Sequence, residues 1–580
     1  MRIIVGLLLT SIVTTDPLAN ERSLKVVYPP TNHRTSAQKI FFIGTAPPTG
    51  QVVINGKLID RSKAGHFAPS FPLQLGENVF TVQYQKQEKI IKVTRVSSVP
   101  ETPQGVGFAP NSLTPAVDIA KQPGELICFG AIATPNASVS VKLGNSTVAL
   151  TQLQQTQLPA NSAALTGTNQ SSTQSAAGKY EGCTTVETVA SLGKPQFELT
   201  FNGQTITQPG TGSIQILSPN QLQVAQVTVE SGVARTGPST DYSRLTPLPK
   251  GTKATVTGRE GEWLRLDYGG WINSKETTII PFPNPPRTII RSVGYRKRPD
   301  ATEMIFPLQE PVPLSVQQGT RTFTLTLYNT TAQTDIIRLD NNPLISRLDW
   351  QQVAPGQVQY TFNLKKDQQW GYQLRYEGTN LILSLRHAPT ITRKKPLSGV
   401  KILLDPGHGG AESGASGPTG DLEKDVNLIV SKLLRDELVK RGATVVMTRE
   451  DDKELSLVER QAIIDKEQPS IALSIHHNSL PDEGDAQKIQ GFGTFWYQPP
   501  AHSLAVSIHD YVVKKLKRPS YGVFWNNLAL TRPSVAPSVL LELGFMSNPN
   551  EFELVMNPVE QKKMAVAIAD GVVEWFKVRI

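Results

Sequence analysis

The sequence predicts a multidomain chain: several N-terminal all-β domains followed by one α/β domain with a mostly parallel sheet flanked by helices. Three observations point there. The chain has 580 residues, far too many for a single core. Between about residues 23 and 390, short alternating strands are separated by turn residues every eight to twelve positions. From Val400 onward, apolar strands such as KILLD, TVVMTR, IALSIHHN, GTFWYQ, LALTR and SVLLELGF alternate with helical stretches.

The first 19 residues carry Arg2, an apolar run from Ile3 to Val13, and Ala19 at an acceptable cleavage position. That run is too short to span a bilayer but suits a secretory signal, so 1–19 is read as a signal peptide and the protein as exported, to the periplasm or cell wall. No later stretch is long enough to cross a membrane, so no transmembrane segment is expected in the mature chain. Residues 399–580 hold 20 Lys and Arg against 24 Asp and Glu, net −4, while the remainder is net +13. A basic front half suits an anionic partner. In an exported chain that excludes nucleic acid and favours a wall polymer or membrane surface.

Residues 23–97 (LKVVYPP, KIFFIGTA, GQVVING, GENVFTVQYQ) read as an immunoglobulin-like β-sandwich, with Asn55-Gly56 as a hairpin turn. Residues 117–222 repeat the pattern, interrupted at about 151–179 by a Gln/Ser/Thr/Ala tract too polar to fold and expected to be disordered. Cys128 and Cys183 flank that tract and are the two cysteines of the chain. In an exported protein they are expected to form one disulfide.

Residues 226–283 contain Ala234-Arg235-Thr236-Gly237-Pro238-Ser239, Lys250-Gly251, Gly261-Glu262-Trp263 and Gly270-Trp271-Ile272, and resemble the bacterial SH3 domain. Core packing is the plainer reading of Trp263 and Trp271; stacking on a ligand at the barrel rim is the sharper one. Residues 287–395, a further β-stretch, resemble the AMIN domain, a β-sandwich that anchors exported amidases on peptidoglycan. Fifteen Lys and Arg against eight Asp and Glu over this range fit electrostatic anchoring, with RSVGYRKRP at 291–299 the densest cluster.

In the α/β region, 399–580, residues 424–441 place Val426, Ile429, Val430, Leu433, Leu434 and Leu438 on one helical stripe, and Gly442 ends it. Polar residues gather at strand ends, where open α/β sheets bind ligands. His408 sits in Asp405-Pro406-Gly407-His408-Gly409-Gly410, a turn that stops the first strand; Glu423 opens the first helix; His476 ends IALSIH. Glu542 interrupts an apolar strand, which is costly unless the carboxylate has a purpose. Two His and one Glu form the three-ligand set of a catalytic zinc site that leaves its fourth position for water, with a second carboxylate available to move protons. No HExxH motif occurs, so the ligands must converge from separate elements. The plainer readings are a turn histidine bonded to backbone and a helix-start glutamate favoured by the macrodipole.

Taken together, the Asp405–Gly410 motif, Gly417 with Gly420, Glu423-Lys424-Asp425, Thr448-Arg449, Ser474-Ile475-His476 with Asn478, and Glu542-Leu543-Gly544-Phe545 with Ser547-Asn548 resemble the zinc-dependent N-acetylmuramoyl-L-alanine amidases of the amidase-3 family. The resemblance implies His408, Glu423 and His476 as Zn2+ ligands and Glu542 as the catalytic carboxylate. It implies peptidoglycan as substrate, cut between N-acetylmuramic acid and the L-alanine of the stem peptide, in wall remodelling or daughter-cell separation. Arg449 and Asn478 are read as substrate contacts. His477, where the family has a smaller residue, is expected to face away from the metal. The 12 residues from Ser479 to Gln490 are too few for the zinc-plugging helix of some relatives and read as an exposed loop, so residues 398–580 are expected to work without a partner; any regulatory protein is unknown. Two other readings stay open: an inactive hydrolase-like scaffold, and a glycoside hydrolase pairing Glu423 with Glu542.

Overall fold

The computed structural model describes residues 23–97, 101–158, 172–174, 176, 178–281, 284–391 and 395–580. Residues 1–19, read as a signal peptide, lie outside the described residues. No helix of the described residues is long and apolar enough to cross a membrane.

Residues 23–97 form small sheets, antiparallel except where His33–Thr35 pairs in parallel with Gln87–Arg95, around Ile40, Phe42, Val52, Ile54, Phe80 and Val82. Asn55 and Gly56 both have positive φ (48° and 79°), the geometry a tight hairpin demands. Beyond them, a six-stranded sheet contains Leu126–Ile132 and Lys179–Thr185, whose register sets Cys128 opposite Cys183; a disulfide joins them. The Gln/Ser/Thr tract differs from a wholly disordered loop: Thr156–Leu158 pairs with Ser172–Gln174 at its two ends. Within that tract, residues 159–171, 175 and 177 are not among the described residues.

The short strands of the SH3-like barrel enclose Val227, Ala234, Leu248, Ala254, Leu264 and Ile272. Trp271 is buried, while half-buried Trp263 lies under the Arg235 guanidinium, 5.9 Å from the ring centroid. Ile119–Lys121 pairs with Lys253–Glu260, so the barrel shares a continuous sheet with the β-domain before it. Local alternation along a chain carries no trace of such a pairing. Residues 288–386 form a two-sheet sandwich, and part of their basic cluster is already neutralised: Arg296 and Arg298 lie 2.6 and 3.0 Å from Glu303.

The C-terminal domain is built from β1 (Lys401–Pro406), α1 (Glu423–Lys440), β2 (Thr444–Met447), α2 (Leu457–Glu467), β3 (Ile471–Asn478), β4 (Phe492–Trp496), α3 (Pro499–Leu516), β5 (Ser520–Trp525), β6 (Ser538–Phe545), α4 (Pro549–Val555) and α5 (Pro558–Arg579). The sheet order is β2-β1-β3-β6-β4-β5; the first four strands are parallel, and β4 and β5 run opposite to them. Ile402 and Leu404 face one core with α1, α3 and α5, whereas Leu403 faces a second with Ile464 of α2, so both faces are covered.

Two sequence assignments change. LALTR is not a strand; Ala529–Thr531 is a turn of 3-10 helix, and the edge strand is Ser520–Trp525 instead. Ile429, placed on the buried stripe of α1, is 47% exposed, and polar Asn427 and Ser431 take buried positions. Asn427 is drawn inward by Glu423 and His477, with which it hydrogen-bonds, and Ser431, four residues on, lies on the same face of the helix.

Candidate active site

β1 runs out at Pro406 and the chain turns through Gly407 into His408, whose φ is +60°. Left-handed backbone is uncommon for a side chain larger than glycine and is held only where surroundings over-determine it. The surroundings are Arg449 and Arg460. Arg449 donates to the carbonyls of Pro406 (3.0 Å) and Gly407 (2.9 Å); Arg460 donates to those of Pro406 (2.8 Å) and His408 (2.7 Å). Gly407 has to be glycine because a Cβ there would lie 2.2–2.5 Å from the His476 ring.

So held, the His408 ring sits 4.9 Å from that of His476, and its Nε2 is 3.2 Å from Glu423 Oε2. His476 Nδ1 is 3.1 Å from Glu423 Oε1. One donor atom from each of these three residues falls within 4.8 Å of the others, and this is the cluster of metal-binding character found among the described residues. Glu423 Oε2 also accepts from the Ala415 amide (2.9 Å), and Oε1 from the His477 amide and Asn427 Nδ2 (both 3.0 Å). Burial alone would raise this carboxyl, but the two imidazoles outweigh it and hold Glu423 well below the usual carboxylate range. His408 moves the other way: burial opposes its protonation, yet Glu423 and Glu412 together raise its pKa.

Glu542 is the register partner of His476 on the neighbouring strand β6, so both side chains rise from the same face of the sheet. Its Oε2 is buried with no hydrogen-bond partner among the described residues. Burial, then the charge of Glu423, pushes its pKa well above the usual value. On its other side stands Gly493 of β4, which adds no side chain.

The remaining expectations divide. Asn478 ends β3, 8% exposed; its Oδ1 accepts from the Ser479 amide, and its Nδ2 has no partner among the described residues. Arg449, read from sequence as a substrate contact, needs correction. It is 3% exposed, and its guanidinium donates to four backbone carbonyls, those of Pro406, Gly407, Lys424 and Asp451. It braces the turn from behind. His477 points away from the three-residue cluster, on the face of β3 that Ile471, Leu473 and Ile475 turn towards α1, and its Nδ1 lies 2.8 Å from Asn427 Oδ1. Burial pushes its pKa down to about 4, so the ring is neutral at physiological pH. Asn427 was not singled out by sequence, because an Asn on an apolar helix stripe carries no sign of what it bonds. The same is true of Arg460, which forms with Asp405 a fully buried ion pair of 2.7 Å beneath the turn.

Residues 402–574 match the family described as N-acetylmuramoyl-L-alanine amidase, of the amidase-3 type, and residues 232–278 match the bacterial SH3 domain. This is an amidase-3 domain behind a bacterial SH3 domain. The amidase-3 domain is similar to the probable cell wall amidase LytH of Staphylococcus epidermidis, 36% identical over 183 residues, which are 31% of this chain and 60% of that one. Against LytH of Staphylococcus aureus the identity is 36% over 191 residues, 33% of this chain and 62% of that one. The chain thus spans about three fifths of the length of the curated relatives it matches. Among solved structures, an N-acetylmuramoyl-L-alanine amidase of Clostridium difficile 630 is 29% identical with a TM-score of 0.30, covering 31% of this chain and 98% of its own. The CwlD amidase of Clostridioides difficile, solved with the GerS lipoprotein, is 30% identical with a TM-score of 0.29, covering 31% and 99%.

Proposed function

We propose that this chain is an exported, zinc-dependent peptidoglycan hydrolase that cuts the amide between N-acetylmuramic acid and the L-alanine of the stem peptide, in wall remodelling or daughter-cell separation. The observation that carries this is the convergence of His408, Glu423 and His476 within 4.8 Å beside a buried, unpartnered carboxylate oxygen of Glu542. Two imidazoles and a carboxylate from three separate elements fit zinc, which takes three protein ligands in catalytic sites and keeps the fourth position open. Bound there, zinc would polarise the amide carbonyl and lower the pKa of a water molecule to about 7.

The chain's own groups do the rest. Glu542 Oε2, kept basic by burial, accepts a proton from the attacking water and returns it to the departing amine of L-alanine. The Asn427–His477 pair and the Ala415 amide fix the orientation of Glu423. The unpartnered Nδ2 of Asn478 supplies a donor for substrate at the end of β3. Export rests on the character of residues 1–19 and on the naming of the LytH relatives as cell wall amidases. Anchoring of the chain on peptidoglycan is assigned to the basic β-domains before the amidase-3 domain.

A glycosidase pairing Glu423 with Glu542 is disfavoured, since both oxygens of Glu423 are already engaged by imidazoles and amides and neither is free to attack or protonate a sugar. Digestion of purified sacculi decides: the amidase reading requires new free amine on L-alanine, abolished by a zinc chelator. New reducing sugar ends surviving chelation would establish the glycosidase, and no product at all with zinc bound would establish the inactive scaffold.

A further inference from the structure

Residues 23–97 present an unusual face. Ile40 and Phe42 enter that domain's own core, so their neighbours Phe41 and Ile43 point out of it. Outward positions of a free-standing sandwich are polar, yet Phe41 and Ile43 are 3% and 6% exposed because they pack against Leu480, Ala486 and Phe545 of the amidase-3 domain. Polar contacts surround that apolar patch. Asp482 accepts from the Tyr28 hydroxyl and lies 2.9 Å from His33 Nε2, and Glu483 Oε1 accepts from the Gln38 amide at 2.8 Å. Lys25 Nζ donates to the Thr419 carbonyl at 2.6 Å, and the Ala64 amide to Glu553 at 2.9 Å.

Segment 479–490, an exposed loop on the sequence reading, is therefore not free. It holds no helix, as its composition implies, but Leu480 and Ala486 are buried under residues 23–97. The segment begins directly after His476 and Asn478. The same apolar cluster reaches the catalytic carboxylate by a second route: Tyr521 packs edge-on against Phe545 at 5.0 Å and lies beside Gly493, the register partner of Glu542.

We propose that residues 23–97 are a positioning domain for the amidase reaction, fixing the wall of the substrate cleft formed by segment 479–490 and Tyr521 next to His476 and Glu542. This rests on the function proposed above. The domain is not a lid, because the His408 and His476 side chains remain 21% and 17% exposed with it in place. Nor is it a loose neighbour, since removing it would bare a contiguous apolar patch on the rim of the site.

The test uses the full chain carrying Phe41→Glu and Ile43→Glu, which charge the outward face and leave the opposite-facing core of residues 23–97 untouched. Asp482→Ala provides a milder variant that keeps the apolar contact. Three quantities are measured: hydrogen exchange of 479–490, zinc content, and KM and kcat on a soluble muramoyl-peptide fragment. The expected result is loss of exchange protection at 479–490, full zinc, a KM raised roughly tenfold or more, and a smaller change in kcat. Asp482→Ala should shift KM in the same direction by less. Unchanged KM with protection lost overturns the proposal, as does a gain in activity, which would make the domain a lid. Protection retained in the double variant overturns the contact itself. A zinc-loaded parent that leaves the fragment uncut overturns the amidase reading, and this inference with it; a parent that cuts while the variant's KM stays put overturns this inference alone.

Discussion

Replacing Arg460 by Ala tests whether the turn that carries His408 is held by a buried ion pair. Arg460 Nη1 is 2.7 Å from Asp405 Oδ1, and both side chains are 2% exposed. The same guanidinium donates to the carbonyls of Leu455 (3.0 Å), Pro406 (2.8 Å) and His408 (2.7 Å). Asp405 accepts in addition from Thr448 Oγ1 (2.6 Å) and Ser474 Oγ (2.7 Å). Truncation leaves a buried carboxylate with two neutral hydroxyl donors and strips three carbonyls of a charged donor. Breaking a buried pair from one side costs about 3–5 kcal/mol. For a domain of this size each kcal/mol moves Tm by about 2–4 °C, so the loss should be roughly 6–20 °C. The His408 carbonyl loses its anchor, and the left-handed turn can relax, which should weaken zinc binding by about 10- to 100-fold. Melting is compared between metal-stripped forms, so that ligand linkage does not enter, and zinc affinity is read by chelator competition. The double variant Arg460→Met with Asp405→Leu separates the two effects: it should recover most of the stability, as buried pairs replaced by apolar residues do, without restoring zinc affinity. An Arg460→Ala chain that melts within about 2 °C of the parent and binds zinc with parental affinity would refute the reasoning.

Further outcomes follow from the same geometry. His476→Ala should abolish stoichiometric zinc, and metal analysis finding one zinc per chain in that variant removes His476 from the ligand set. Glu542→Gln should keep zinc and fold while losing roughly 10²-fold or more in turnover; near-parental activity would place the proton acceptor elsewhere. Glu437 of α1 pairs with Lys440 and Arg441 at the end of its own helix and with Lys562 of α5, and chiefly the two lysines hold its pKa down to about 2 from 4.5. A depressed carboxylate stabilises the fold above its unfolded pKa and ceases to as pH falls through the folded one, so its contribution should be lost between about pH 4.5 and 2. With partly exposed lysines screening the interaction, Glu437→Gln should remove about 1–2 kcal/mol of that acid dependence, and an unchanged acid-unfolding limb would argue against it. Retention of the full chain on sacculi should fall as salt rises, because exposed charges are screened over about 8–10 Å at physiological ionic strength; salt-independent retention would rule out electrostatic anchoring.

What could be read from the sequence was whatever depends on local order. The strand-turn-helix alternation placed β1, α1, β2 and β3; position at a strand end singled out His408 and His476, and interruption of an apolar strand singled out Glu542. What could not be read depends on partners distant in sequence. Arg460 looks like an ordinary solvent-facing residue of the amphipathic α2, yet it is 2% exposed because Asp405, 55 residues earlier, lies beneath it. Arg449 carried a motif's suggestion of ligand binding, and only its carbonyl partners reveal a brace. Phe41 and Ile43 end one short strand and begin the next, and the unbroken apolar run IFFI gives no clue that alternate side chains serve two different cores. Trp370 is another such case: it leaves its own β-domain to pack on Trp575 and Phe576 of α5, at 5.4 and 5.7 Å.

The placement of a lone histidine on a glycine turn now has a physical reason. The three residues proposed as ligands come from a turn, a helix start and a strand end and cannot share one rigid element, so each approach needs clearance as well as reach. Gly407 gives the His476 ring room to pass over the backbone, and Gly414 does the same for Glu423 and His408, where a Cβ would fall 2.5 and 2.6 Å from their atoms. Such glycines leave the turn with backbone freedom that folding must remove, at about 0.5–1 kcal/mol each relative to alanine. Two buried arginines, donating to the carbonyls of residues 406, 407 and 408, supply the rigidity that the glycines forgo. The glycines and the arginines are therefore one device. Clearance without the braces would leave the three side chains too loose to stay together, and braces without clearance would leave no space for His476 at all.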